Sequence, residues 1–298
     1  MIAKIKSSRK WQLSILGIFI VIAIAAFWYF RANPVMPQMT IYFLSEVNLP
    51  QQGDTVLIFA PHPDDETIAC GGYINESVKR GAEVHIVLVT DGNRRNLQVL
   101  RYLEFENATR TLGVPGENLV YLNYPDSRLA LENCEKLKEV LAEQIEKVQP
   151  DILLYPHPND THKDHSTVGT IIEEIMQQMK EKVGVKEYLL GYEDLVKEEV
   201  WEELEVVEKI AKKITCYKYL VHHAYFPYPK KYAPELFVLP PLDLVTIEGG
   251  WEKFMLSEET KKTKERALRA YVSQLRNPLL KNLLEASIRE NEIFAVNQ

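Results

Sequence analysis

Residues 56–67 read VLIFAPHPDDET: an aliphatic run, then His62, Asp64 and Asp65 within four positions. An apolar run bounded by proline predicts a buried strand, and the polar cluster then sits at its carboxyl end. Working outward, TVLIFA (55–60), VHIVLV (84–89), NLVYL (118–122) and DILLYP (151–156) form a series of short β-branched or aliphatic runs. Stretches with helical spacing separate them, at 66–80, 94–112, 132–148 and 164–182. Near-continuous apolar strands alternating with helices predict an α/β fold, a Rossmann-like mostly parallel sheet with helices on both faces. Ligand sites in such sheets lie outside the carboxyl ends of the strands.

Composition is ordinary for a globular domain, 46% hydrophobic and 26% charged over 298 residues. The net charge is −7, and setting aside the four basic residues among the first thirty leaves 31 basic against 42 acidic side chains, a balance of −11. Such a surface repels phosphate backbones, so nucleic acid is not an expected partner. Cys70, Cys134 and Cys216 lack metal or redox spacing and read as buried free thiols.

The N-terminus carries LSILGIFIVIAIAAFWYF, residues 13–30, without a charge and ending in an aromatic cluster. This predicts a transmembrane anchor over 11–30. Lys4, Lys6, Arg9 and Lys10 precede it and only Arg31 follows in the next twenty residues. The basic segment 1–10 is therefore expected in the cytoplasm, with the rest of the chain outside. A signal peptide cleaved near Ala23-Ile24-Ala25, giving a secreted protein, is the competing reading. Residues 31–53, with Pro34, Pro37 and Pro50, read as a linker, and 54–298 as one folded domain. Within it, the Glu/Lys-rich 186–214 reads as a solvated helical insertion and 218–226 as a further strand. The tail 257–294 reads as two helices broken at Asn277-Pro278.

Two strands end unusually, TVLIFA in PHPDDE and DILLYP in HPNDTHKDH. These segments hold four of the seven histidines, His62, His157, His162 and His165, with Asp64, Asp65, Asp160 and Asp164. Imidazole and carboxylate suit a borderline metal, and a catalytic zinc takes three protein ligands while keeping a position for water. His162 and His165 are three apart and share a face if a helix begins there. Adjacent Asp64 and Asp65 cannot point the same way from an extended segment, so one is expected to bind metal and the other to handle protons. Loop caps and surface charges are the alternative for either segment alone. Metal-assisted hydrolysis is the chemistry this inventory serves.

PHPDDE, ETIACGGYI (66–74), TDG (90–92) and HPNDTHKDH together resemble the PIG-L (LmbE-like) family of zinc-dependent N-acetylglucosamine deacetylases. The resemblance extends to Arg101, Glu104, Ala108, Leu112 and Gly113 in R-x-x-E-x-x-x-A-x-x-x-L-G, to YPDSRL (124–129) and to YLVHHAYFPYPK (219–230). It implies His62, Asp65 and His165 as ligands of Zn2+, and Asp64 as general base; imidazole and carboxylate donors also suit Fe2+. It further implies His162 as oxyanion stabiliser or acid, Asp164 as support behind a ligand, and Arg101 and Asp126 near the sugar. His157 is expected to cap its strand, His85 to be a satisfied sheet residue, and His222 and His223 carry no assignment. The expected activity is removal of an N-acetyl group from an N-acetylglucosamine-type glycoconjugate at a membrane. Three readings compete with it: a membrane-tethered non-catalytic carbohydrate-binding protein, a cytoplasm-facing N-acetylglucosaminyl-phosphatidylinositol deacetylase-like enzyme, and a two-metal phosphoesterase.

Overall fold

The computed structural model describes residues 9–32, 35–93, 96–190, 197–247 and 250–296. Lys4 and Lys6 of the basic N-terminal segment lie outside them. The chain begins with helix α1 (Arg9–Ala32), a 3-10 turn (Gln38–Phe43) and the short strand β1 (Ser45–Glu46). Then come β2 (Thr55–Ala60), α2 (Asp65–Lys79), β3 (Glu83–Thr90), α3 (Gln98–Leu112), β4 (Leu119–Tyr124), α4 (Cys134–Val148), β5 (Ile152–Pro156), α5 (Lys163–Leu189), α6 (Glu198–Lys213) and β6 (Thr215–Tyr219). The last part holds α7 (Leu242–Val245), β7 (Gly250–Met255), α8 (Glu258–Leu268), α9 (Val272–Leu275), α10 (Pro278–Ala286) and β8 (Asn291–Val296).

All eight strands form one sheet in the order β1-β7-β8-β6-β5-β2-β3-β4. Strands β2 to β6 are mutually parallel, and β8 runs antiparallel to both β6 and β7. The parallel block winds outward from β2 and β5 in opposite directions, so the chain reverses its order there and opens a crevice beyond their carboxyl ends.

Strand β2 shows why its sequence is apolar throughout. Val56, Ile58 and Ala60 enter the core on one face, under α2, α3 and the C-terminal helices. Leu57 and Phe59 enter the other, under α4, α5 and α6. Side chains alternate between faces with period two, and both faces are covered. Each fully buried aliphatic or aromatic side chain contributes roughly 1.5–3 kcal/mol of transfer free energy. Helix starts use local caps: Asn133 accepts from the Lys136 amide, Ser257 from Thr260 and Asn277 from Leu279.

Several regions differ from their sequence reading. The Glu/Lys-rich stretch is not wholly solvated, because α6 buries Leu204, Val207 and Ile210. The tail folds as three helices followed by β8, whose Phe294 and Ala295 are fully buried. Strand β6 ends at Tyr219, so His222 and His223 lie beyond it in the following loop. Segment 31–53 contributes β1 to the sheet edge beside β7 and buries Ile41. The three cysteines are free, but only Cys70 is buried and Cys134 is exposed. Helix α1 contains an 18-residue stretch, Trp11–Trp28, of mean hydropathy 2.2, long and apolar enough to cross a membrane by length and composition.

Candidate metal centre and active site

Three close contacts position the loops that follow β2 and β5. Thr90 donates through both its amide and its hydroxyl to the Pro61 carbonyl, at 3.0 and 2.7 Å, so the end of β3 holds the HPDD loop. Gly92 has φ +57°, and a Cβ there would lie 2.9 Å from the Pro63 ring, so the TDG turn packs directly on that loop. Gly169 performs the same service for α5: an added Cβ would stand 2.3 Å from the Pro156 carbonyl oxygen. Helix α5 therefore lies against the end of β5 and presents His165 one turn into its start.

The result is a tight triangle of donor atoms. His62 Nδ1 is 3.2 Å from His165 Nε2, and Asp65 Oδ2 is 3.2 Å from the first and 3.0 Å from the second. Three ligand atoms at zinc-like bond lengths and tetrahedral angles stand about 3.3 Å apart, so these side chains fit one small cation. The far nitrogens of both rings are backed by carboxylates. His62 Nε2 is 3.0 Å from Asp164 Oδ2, and His165 Nδ1 faces Asp160 Oδ2 at 3.3 Å. A carboxylate behind a ligating imidazole fixes the ring and raises its basicity. Both carboxylates are themselves anchored: Asp164 accepts from the amides of Ser127 and Leu129, and Asp160 from those of His162, Val221 and His222.

Charge is concentrated accordingly. Burial works to lower the His62 pKa, but Asp164 and Asp65 outweigh it and raise it to about 9. For His165 burial is again overridden, by Asp65 and Asp160, and the value rises to about 10. Burial would raise Asp65, yet His165 and His62 hold it well below the usual carboxylate range. Two imidazoles retaining protons around a carboxylate mark a site built for positive charge.

Asp64 behaves differently. It occupies the N-cap position of α2 with φ 130°, a conformation rare for any residue but glycine, and its carboxylate caps nothing. That carboxylate instead reaches Arg101 Nη2 at 3.3 Å. Burial raises its pKa to about 7, against the opposing pull of Arg101. The same guanidinium donates to the Pro63 carbonyl at 2.6 Å and meets Asp126 Oδ2 at 3.4 Å. Arg101 and Asp126 are thus partners of each other, and both line the cavity.

The cavity over the triangle encloses about 350 Å³. Its polar side carries His62, Asp64, Asp65, Arg101, Asp126 and His162. Its other side carries Leu97 at the start of α3 and Leu279, Leu280 and Leu283 of α10, with Ser273, Gln274 and Asn277 beside them. Burial lowers the pKa of His162, which packs edge-on against His62 with ring centroids 4.6 Å apart. His222, unassigned from sequence, also lines the cavity, 4.9 Å from the His165 ring, and burial pushes it down to about 4. Its only sequence signal is the pair His222-His223 shortly after a strand. His157 stacks on Trp251 and stays out of the cavity lining, while its Nδ1 accepts from the Asn159 amide, which shapes the loop. His85 lies half-buried on β3, 3.0 Å from Glu83.

A family profile described as PIG-L: GlcNAc-PI de-N-acetylase matches residues 57–176. A probable N-acetyl-alpha-D-glucosaminyl L-malate deacetylase 2 of Bacillus anthracis is 27% identical over 150 residues, 46% of this chain and 66% of that protein. The match therefore spans just under two thirds of that relative's length. Diacetylchitobiose deacetylase of Thermococcus kodakarensis is 32% identical over 126 residues, 38% of this chain and 46% of the relative. Among solved structures, the A40926 pseudoaglycone deacetylase Dbv21 superposes with a TM-score of 0.53 at 16% identity, covering 83% of this chain and 97% of that one, which shows a shared fold.

Proposed function

Residues 57–176 of this chain are a PIG-L family domain, and from that premise we propose that the protein is a metal-dependent deacetylase of an N-acetylglucosamine-type sugar within a glycoconjugate. The observation that carries the reading is the pairing of a three-donor triangle with a separate carboxylate, Asp64, that meets Arg101 and faces the same cavity. Carbohydrate binding alone needs no such base. The relatives named as deacetylases of glucosaminyl malate and diacetylchitobiose support the substrate class.

His62, Asp65 and His165 would hold the ion, Zn2+ or Fe2+, since imidazole and carboxylate suit both. When bound, it supplies Lewis acidity toward the amide carbonyl and lowers the pKa of a water to about 7. Asp64, whose pKa burial raises to about 7, takes the proton of the attacking water at its carboxylate. Held there, that proton is available to the amine nitrogen that leaves. His162, kept neutral by burial, offers an N–H to the oxygen on which charge develops. Asp164 and Asp160 keep the two ligand rings in place, and Arg101 with Asp126 meets the hydroxyls of the sugar.

Helix α1 serves in this reading as a membrane anchor, with the basic N-terminus cytoplasmic and the catalytic domain outside. The test is acetate release by the full-length chain in detergent with zinc or iron(II) supplied, across N-acetylglucosamine, chitooligosaccharides, and lipid- and inositol-linked forms. Release abolished by Asp64→Ala supports the reading. A folded, metal-loaded chain that releases acetate from none of them overturns it.

A further inference from the structure

Among the large exposed hydrophobic side chains outside α1, two groups stand near the cavity end of the sheet. The 3-10 turn after α1 leaves Met39, Tyr42 and Phe43 exposed at 72%, 72% and 85%, while Ile41 between them is buried. This turn is fixed to the domain: Gln38 Nε2 donates to the Phe237 carbonyl at 3.0 Å, and the Phe237 amide donates to Gln38 Oε1 at 2.7 Å. The neighbouring Val238 pairs with Asn291 at the start of β8. Because β8 is antiparallel to β6, that start lies at the end of the sheet where β6, β5 and β2 finish, the end that carries the cavity. A second apolar group flanks the cavity mouth there. Leu279 is 80% exposed and Val99, in the first turn of α3, is 73% exposed, with Leu100 and Leu103 beside it.

Covalent geometry then restricts what can cover this end. From Ala32, the last residue of α1, to the docked Gln38 is six peptide steps, a reach of at most about 21 Å. Phe27 and Trp28 near that end of α1 are exposed, in keeping with a headgroup-level girdle. A domain so tethered cannot carry the turn far from the bilayer that holds α1.

We propose that this end of the domain rests on that bilayer, with Met39, Tyr42 and Phe43 inserted at the headgroup boundary and the α3 and α10 patch against the lipid, so that the cavity receives its sugar from the membrane surface. The proposal rests on α1 being a retained span. Aromatic and methionine side chains partition to that boundary, and a few of them add binding area without needing a charged partner.

The test uses the full-length protein in phosphatidylcholine and phosphatidylglycerol vesicles. An environment-sensitive fluorophore is attached at Phe43→Cys, Val99→Cys or, as control, Lys147→Cys, each with Cys134→Ser, and is challenged with nitroxide-labelled lipid. Lys147 is exposed in the last turn of α4, at the opposite end of the sheet. The expected result is several-fold stronger quenching at positions 43 and 99 than at 147. Quenching at 43 and 99 no stronger than at 147, in protein that stays with the vesicles through an alkaline wash, overturns the proposal while the span stands. Quenching at 43 alone overturns the lipid-facing cavity. Release of the protein by the wash removes the span reading and the proposal with it.

Discussion

His62 and His165 are separated by 103 positions in the chain, yet their ring nitrogens stand 3.2 Å apart, with one oxygen of Asp65 touching both. Three donor atoms this close, with a carboxylate behind each ring, could hold one cation.

Metal content should depend on the triangle and not on the base. His62→Ala and His165→Ala should each bind far less metal than the parent protein, whereas Asp64→Asn should retain its full complement. Elemental analysis of the dialysed proteins decides this, and a His165→Ala protein with one tightly held ion per chain would remove it from the ligand set.

Turnover should divide the other way. Loss of a positioned general base typically lowers rate by about 10²–10⁴-fold, so Asp64→Asn should lose kcat to that extent with little change in KM. Steady-state acetate release measures both constants.

The carboxylates behind the rings should tune affinity. Asp160 holds the His165 ring and three loop amides, and loss of such support costs about 10–100-fold in metal affinity or activity. Competition with a chelator should place Asp160→Asn in that range, and an unchanged affinity would make Asp160 a purely structural knot.

The pH profile should report Asp64. Buried, it titrates near about 7, so kcat/KM should rise with pH as the carboxylate ionises and should fall away on the acid side. A bound cation nearby pulls that midpoint down. Arg101 opposes the upward shift, so Arg101→Met should move the limb to higher pH, and a limb that ignores this substitution would assign it to another group.

Glu66 gives a stability prediction. It is fully buried under Tyr271 and Thr67, and burial raises its pKa from 4.5 to about 7. The folded state therefore binds the proton more tightly than the unfolded chain, and stability falls as pH rises from about 4.5 to about 7, by roughly 3 kcal/mol for this shift. Glu66→Gln should flatten that part of the stability curve in denaturant titrations at several pH values.

Much of the site was legible because its groups lie in short segments directly after apolar strands. The four strand runs predict the structural elements to within a few residues, since burial on both faces of a parallel sheet imprints itself on local sequence. The segments holding His62, Asp64, Asp65, His162 and His165 stand out for the same reason, as polar clusters where a core strand ends.

The sequence by itself determined the parallel block, the two loops that meet at its switch point, and the apolar N-terminal helix, because period, composition and spacing are local quantities. Only the tertiary structure decided that His222 enters the cavity, that Asp160 backs His165, and that leucines of α10 form the opposite wall. It also revealed β1, β7 and β8, short strands whose pairing partners are distant in the chain or run in the opposite direction. A leucine on a helix reads the same in sequence whether it faces a core or a cavity, and a histidine after a strand reads the same whether or not a ligand is opposite. What separates these cases is which distant segment packs there, and that is settled by the crossings of the chain rather than by any one stretch of it.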